Sequence, residues 1–257
     1  MKELNRDRAP AITDTCAVMG TVVSFTVLGL DEAAAKASLG AACGTLHEVD
    51  ATFSTWKRDS PVSRLRRGEV TLSQVPPEVA QVLELCRMAR AWSRGWFDPW
   101  AIPGGVDPTG LVKGWAVERA LNVLRRAGAV AALVNGGGDL AVFGHPGPGQ
   151  QWRIGIQHPW RRDALAGIIE VRAAAATSGT YERGPHLFDP SAGRAGHRAV
   201  SATVTGPSLA MADALATALA VGGDDALAAV GALDGYAGYL IRPDGTEART
   251  DGIDLFS

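Results

Sequence analysis

The stretch Val130-Ala131-Ala132-Leu133-Val134-Asn135-Gly136-Gly137-Gly138-Asp139-Leu140-Ala141-Val142-Phe143 decides the fold class. Residues 130–134 and 140–143 are short apolar runs, and the tetrad Gly136-Gly137-Gly138-Asp139 between them reads as a tight turn of a hairpin. A dinucleotide-binding loop would join a strand to a helix, whereas here a second strand follows. A hairpin set among alternating strands and helices favours an α+β architecture over a doubly wound parallel sheet.

Outward from that hairpin, residues 22–28 alternate and are β-branched, predicting a strand. Asp31 then caps an Ala-rich helix running to about Asp50. Pro76-Pro77 opens another helix through Trp92, with Leu83, Cys86 and Arg90 at helical intervals and Gly95 as its stop. Residues 112–126 form a third helix closed by Gly128. Strands are expected at 152–156, 167–171 and 200–205. A further helix starts at or near Ser208, and residues 236–241 close the sheet. The expectation is a single domain over 1–257, with 1–15 loosely ordered.

Composition narrows the partners. At 46% hydrophobic and 20% charged residues, the 257-residue chain has ample material for a packed core. A net charge of −2 with scattered Lys and Arg points away from nucleic acid. The longest apolar runs are interrupted by Asp or Gly, so no membrane span is expected. Residues 1–10 are polar and charged, without the apolar core of a secretory signal, which makes the cytoplasm the expected location. Cys16, Cys43 and Cys86 are too few and too widely spaced for a zinc site or disulfide framework, and are expected as buried thiols.

The polar positions inside apolar contexts carry the chemistry. In Ala210-Met211-Ala212-Asp213-Ala214-Leu215-Ala216-Thr217-Ala218-Leu219, Asp213 and Thr217 stand one helical turn apart on the same face. Such a carboxylate and hydroxyl make a partial cage suited to Mg²⁺, which completes its shell with waters and phosphates. The same spacing also fits a polar stripe whose hydroxyl bonds back to the preceding turn. Asp107-Pro108-Thr109-Gly110-Leu111-Val112-Lys113-Gly114 resembles a phosphate loop in outline, placing small residues and a lysine at a helix N-terminus. It lacks the Walker A spacing and fits equally an Asp-Pro turn that caps a helix. His186 lies among turn residues, where functional groups are often presented. The remaining histidines show no metal-ligand spacing, and no nucleophile elbow is present.

Taken in order, these motifs resemble the ApbE family of FAD:protein FMN transferases. The match runs through Met19-Gly20-Thr21, Phe53-Ser54-Thr55-Trp56, Ser60 to Leu65, and Phe97-Asp98-Pro99. It continues through Asp107 to Gly114, Asn135 to Asp139, Thr177 to Tyr181, His186 to Gly193, and Ala212 to Leu219. The resemblance implies an ApbE-like (T-fold-like) α+β fold, with mixed, largely antiparallel sheets and packed helices. It assigns Asp213, Thr217 and the carbonyl of Gly110 to Mg²⁺. Met19, Trp56, Trp96, Phe97, Asp98, Asp107, Lys113 and Leu187 match positions lining an FAD site, with Trp56 suited to stacking on a flat ring.

The reaction implied is attack by a threonine hydroxyl of an acceptor protein on the FMN-side phosphorus of FAD, with AMP leaving. His186 is the candidate base, because an imidazole titrates near neutrality. The acceptor is expected to be cytoplasmic and to carry a Ser/Thr-Gly-Ala-Thr-type motif. Two other outcomes use the same site: an Mg²⁺-dependent FAD pyrophosphatase giving FMN and AMP, and an FAD-binding protein without turnover. The chain departs from the pattern at Ala216, where some members have a second Asp, and at Arg66, where many have Asn. The segment from Phe97 to Asp107, with Pro103-Gly104-Gly105, is also shorter than in many members.

Overall fold

The computed structural model describes residues 11–179 and 187–256. Its centre is an eight-stranded sheet in which every neighbouring pair is antiparallel. In spatial order the strands are β1 (Ile12–Val18), β2 (Thr21–Leu28), β3 (Ala131–Gly136), β4 (Asp139–Phe143), β7 (Ala174–Gly179), β10 (Ser201–Gly206), β11 (Ala237–Ile241) and β12 (Glu247–Arg249). One face carries the helices α1 (Glu32–Phe53), α3 (Pro77–Trp92), α4 (Thr109–Arg126) and α5 (Leu209–Gly222). The opposite face is covered by the hairpin β5 (Trp152–Gln157) and β6 (Leu165–Val171). Two short helices, α2 (Pro61–Arg66) and α6 (Asp224–Gly231), and the small pair β8 (Phe188–Asp189) and β9 (Arg194–Ala195) complete the elements used below. The α+β expectation holds.

The two-residue period of a strand explains the layering. Along β4, Leu140 and Val142 point into the cluster with Trp152, Ile156 and Ile169, while Ala141 faces the helices. Strand β11 repeats this, with Tyr239 and Ile241 on the hairpin side and Leu240 on the helical side. The hairpin expected at residues 130–143 turns through Gly137-Gly138, at φ of 67° and 95°. Positive φ at both central residues marks the turn whose twist matches paired strands. A side chain at Gly137 would also strike the Thr21 hydroxyl at 2.7 Å.

Several elements differ from the sequence expectation. Residues 12–15 belong to β1, because a ladder to β2 holds an edge strand whose side chains at 13–15 are exposed and polar. Strand β7, Ala-Ala-Ala-Thr-Ser-Gly, lies in the middle of the sheet although Thr177 is its one β-branched residue. Helix α4 begins at Thr109 rather than Val112, so Gly110 lies in its first turn. Finally, Cys16 on β1 and Cys43 on α1 form a disulfide, correcting the expectation of three thiols. Their distance along the chain was no guide, since β1 and α1 pack against each other. Cys86 is the buried free thiol, and burial pushes its pKa up to about 12. Among the described residues no helix is long and apolar enough to cross a membrane.

Helix α5 is apolar on all sides, and Thr217 alone among its residues is less than fully buried. Its docking on α4 requires glycine: a Cβ at Gly114 would lie 2.5 Å from the Leu209 carbonyl oxygen. Glu118 of α4 caps α5 from outside, accepting the Leu209 N–H and the Ser208 hydroxyl at 3.3 Å. Burial raises its pKa, opposed by donors at Leu209, Ala210 and Ser208. Glu118→Ala should cost about 1–3 kcal/mol in urea denaturation by orphaning buried donors. The folded state holds the Glu118 proton more tightly than the unfolded chain. Its contribution is therefore fullest below the ordinary carboxylate range and declines as pH rises through the raised value. Glu118→Gln should flatten that part of the stability profile.

Candidate active site

A cleft of about 750 Å³ opens beside the end of the sheet where β1 turns into β2. The turn is Met19-Gly20, at φ of 53° and 69°, closing a two-residue hairpin between Val18 and Thr21. Met19 is one of few non-glycine residues in the left-handed region here, a conformation disfavoured by about 1–2 kcal/mol and often found at functional positions. Every described residue expected at the metal or FAD site lines this cleft: Met19, Trp56, Trp96, Phe97, Asp98, Asp107, Gly110, Lys113, Leu187, Asp213 and Thr217. The candidate base His186 lies outside the described residues.

The floor is polar and deeply placed. Asp213 is 4% exposed, and one of its carboxylate oxygens accepts the Gly114 N–H at 2.9 Å. That amide is the one a regular helix would give to the Gly110 carbonyl, so Asp213 competes for it. Thr217, one turn on, lies 3.3 Å from the Ser178 hydroxyl of β7, and Gly110 packs beside it across the helix interface. The helical spacing of Asp213 and Thr217 therefore does present both groups to one cavity.

Asp139 is the residue the sequence reading passed over, as the end of a glycine turn. It is 1% exposed, and its Oδ1 accepts the Thr177 N–H at 3.0 Å, where the pairing of β4 with β7 has run out. Its Oδ2 is ion-paired with Lys113 of α4. Burial and the neighbouring Asp139 charge push the Asp213 pKa well above the ordinary carboxylate range, opposed by Lys113 and the Gly114 amide. Asp213 on the floor and Asp139 behind it thus share the Lys113 ammonium. Its only sequence signal was an acidic residue directly after a glycine turn.

This donor set fits a hard cation. Its floor offers the Asp213 carboxylate and the Thr217 and Ser178 hydroxyls, with no imidazole among the described lining residues and the Met19 thioether out on the β1–β2 turn. A cation would also relieve the repulsion that raises the Asp213 pKa. The residues that would hold such a cation are Asp213, Thr217 and Gly110, with Asp139 and Lys113 setting the charge beside them.

The rim is aromatic and built from loops. Trp56, between α1 and α2, is 96% exposed, an unusual position for so large a ring. Phe97 is buried against Gly110, and Trp96 is held between Gly222 and the Arg198 guanidinium, 4.5 Å from its ring centre. Asp98 bonds Arg90 at 2.8 Å and accepts the Trp100 N–H. Asp107 caps α4 through the Thr109 amide and hydroxyl, and pairs with Arg66. Asp98 and Asp107 thus shape the rim through protein partners.

Arg66 explains how the short segment from Phe97 to Asp107 keeps its form. Its guanidinium bridges Asp107 and the Pro103 carbonyl, at 3.2 Å for the latter. A Cβ at Gly105 would lie 2.6 Å from the Arg66 carbonyl oxygen, so the segment lies flat on the end of α2.

With this geometry in place, the comparisons with known proteins are specific. The sequence profile of the ApbE family matches residues 19–104 and 102–240. This chain belongs to the ApbE family. A protein of Klebsiella pneumoniae named FAD:protein FMN transferase is 28% identical over 94% of this chain and 88% of its own length. A protein of the same name from Escherichia coli is 31% identical over 56% of this chain and 44% of its own. In structure, the flavin transferase ApbE of Vibrio cholerae superposes with a TM-score of 0.80 at 24% identity, covering 94% of this chain and 98% of that one. The flavinyl transferase ApbE of Pseudomonas stutzeri gives 0.81 at 23%, covering 95% of each chain. The ApbE-like fold expected from the sequence is the fold observed.

If Arg66 pins the rim, Arg66→Ala should increase protease cleavage and amide exchange at residues 99–107, with little change in global unfolding. Unaltered exchange there would remove the pinning role.

Proposed function

We propose that this chain transfers FMN from FAD to a threonine hydroxyl of an acceptor protein, using Mg²⁺ and releasing AMP. The transferase class rests on family membership and on the name its relatives carry. The cation and the manner of substrate binding rest on the site. One observation carries the reading: Asp213, Thr217 and Lys113, the last paired with Asp139 behind it, converge on the floor of a cleft whose rim exposes the Trp56 ring. Such a cleft suits a ligand with a charged pyrophosphate at its centre and a flat ring at one end. FAD is that ligand.

The new bond joins the threonine Oγ to the FMN-side phosphorus. The bond from that phosphorus to the AMP oxygen breaks, AMP departs with the electron pair, and the threonine proton passes to a base. We assign that base to His186. Mg²⁺, when bound, supplies neutralisation of charge on the pyrophosphate oxygens. Lys113 places an ammonium at the cleft and, through its pair with Asp139, is oriented before substrate arrives. The buried Asp213 is held by the Gly114 amide, so its orientation needs no rearrangement. Trp56 and the left-handed Met19 turn flank the entrance, where they would hold the isoalloxazine ring and keep the phosphorus in line for attack. We read the chain as one functional domain acting in the cytoplasm on an acceptor with a Ser/Thr-Gly-Ala-Thr-type motif.

The test is incubation with FAD, Mg²⁺ and a protein bearing that motif, followed by denaturing electrophoresis and flavin fluorescence. Covalent label on the acceptor is the expected result. FMN and AMP without label would replace transfer by pyrophosphate hydrolysis, and intact FAD would leave binding alone. EDTA and Asp213→Ala should each abolish label.

Two further variants separate binding from chemistry. Trp56→Ala should weaken FAD binding by about 1–3 kcal/mol, the scale of one aromatic stacking partner, as read by equilibrium titration. His186→Ala should lower the transfer rate without a matching loss of FAD affinity. An unchanged rate across pH would remove the histidine from the mechanism.

A further inference from the structure

Away from the cleft, β1 and α1 bring together three soft donors: Cys16, Cys43 and His47. Cys43 and His47 are one turn apart on α1, so both project from the same side of the helix. Cys16 reaches them from β1, and the three donor atoms lie within 4.8 Å of one another. The two sulfurs are joined as a disulfide, with the His47 Nε2 3.6 Å from the Cys16 sulfur. For a tetrahedral zinc ion with bonds of about 2.3 Å to sulfur and 2.0–2.1 Å to nitrogen, the S–N edge is about 3.6 Å. The imidazole already stands at that spacing. Opening the disulfide and letting the sulfurs part to about 3.8 Å would give three corners of a tetrahedron.

We propose that Cys16, Cys43 and His47 form a redox-gated site for a thiophilic divalent ion of the zinc class, absent while the disulfide is closed and present once it is reduced. A dithiol reductant supplies two electrons and two protons, breaking the S–S bond and leaving two thiols. Metal binding then releases the thiol protons to solvent, and the ion takes two thiolates and the neutral imidazole. The fourth position goes to water on the exposed His47 side. Burial of the Cys16 end shields the thiolates, while the half-buried Cys43 and exposed His47 leave an entry path. Cys86 takes no part: it is buried in α3, with its thiol pKa pushed up to about 12. The site is distinct from the oxygen-donor floor of the cleft, which would take a hard cation.

The experiment titrates Co²⁺ into the full chain, oxidised and reduced, under anaerobic conditions, followed by zinc competition against a chromophoric chelator. Thiolate-to-cobalt charge-transfer absorption distinguishes this site from the carboxylates of the cleft. The expected result is one equivalent with thiolate bands in the reduced protein, none in the oxidised protein, and none in reduced Cys43→Ser. His47→Ala should bind zinc more weakly by at least the roughly 10- to 100-fold that even an outer partner is worth. Circular dichroism would establish that both variants are folded. The proposal is overturned if the reduced protein shows no thiolate band, if the oxidised protein or Cys43→Ser gives the same band, or if His47→Ala binds as tightly as the parent.

Discussion

Placing a carboxylate in the middle of an apolar helix is the constraint on which the site depends. Helix α5 is buried on all sides, so Asp213 loses most of its hydration when the chain folds. The cost is offset only if neighbouring elements bring compensating groups within reach. Helix α4 does so from one side, and glycine at position 114 is what lets its backbone come close enough for an amide to bond the carboxylate. Lys113, the adjacent residue, then falls into the same cavity and meets Asp139 from the sheet. The α4–α5 contact thus sets the floor of the cleft, and Glu118 fastens that contact at the other end.

How far this was legible in the sequence depended on whether a feature was local. The central hairpin announced itself through adjacent glycines that adopt positive φ. Asp213 and Thr217 could be read together because one helix carries both. The family order then gathered loops from across the chain into what proved to be a single cleft. Asp139 was obscure for the opposite reason. Its importance comes from β4 losing its pairing with β7 just where α4 and α5 pass, a coincidence of distant segments. Strand β7 was hidden by its alanines, which suit close approach of α5 better than they signal a strand. The Cys16–Cys43 pair was similarly misjudged, because spacing rules describe ligands on one loop or helix and these lie on two elements.

The two clusters able to hold a cation differ in chemistry as well as position. The cleft offers oxygen donors on buried elements, arranged around a repulsion between carboxylates that a hard cation would relieve. The β1–α1 cluster offers sulfur and imidazole, and its donor capacity is governed by electron transfer. Both elements of that cluster continue toward the cleft, β1 into the Met19 turn and α1 into Asp50 and Ser54.

The two-residue hairpin at Met19-Gly20 bears on how such an enzyme can change over evolutionary time. Adding one residue there would have to be absorbed as a bulge or would reverse which face each β1 side chain meets. That end of the scaffold is therefore intolerant of length change. The stretch between α3 and α4 is under no comparable restriction, because it is fastened by side chains rather than by a strand ladder. A change of length there would reshape the entrance to the cleft while leaving the α4–α5 contact beneath it in place.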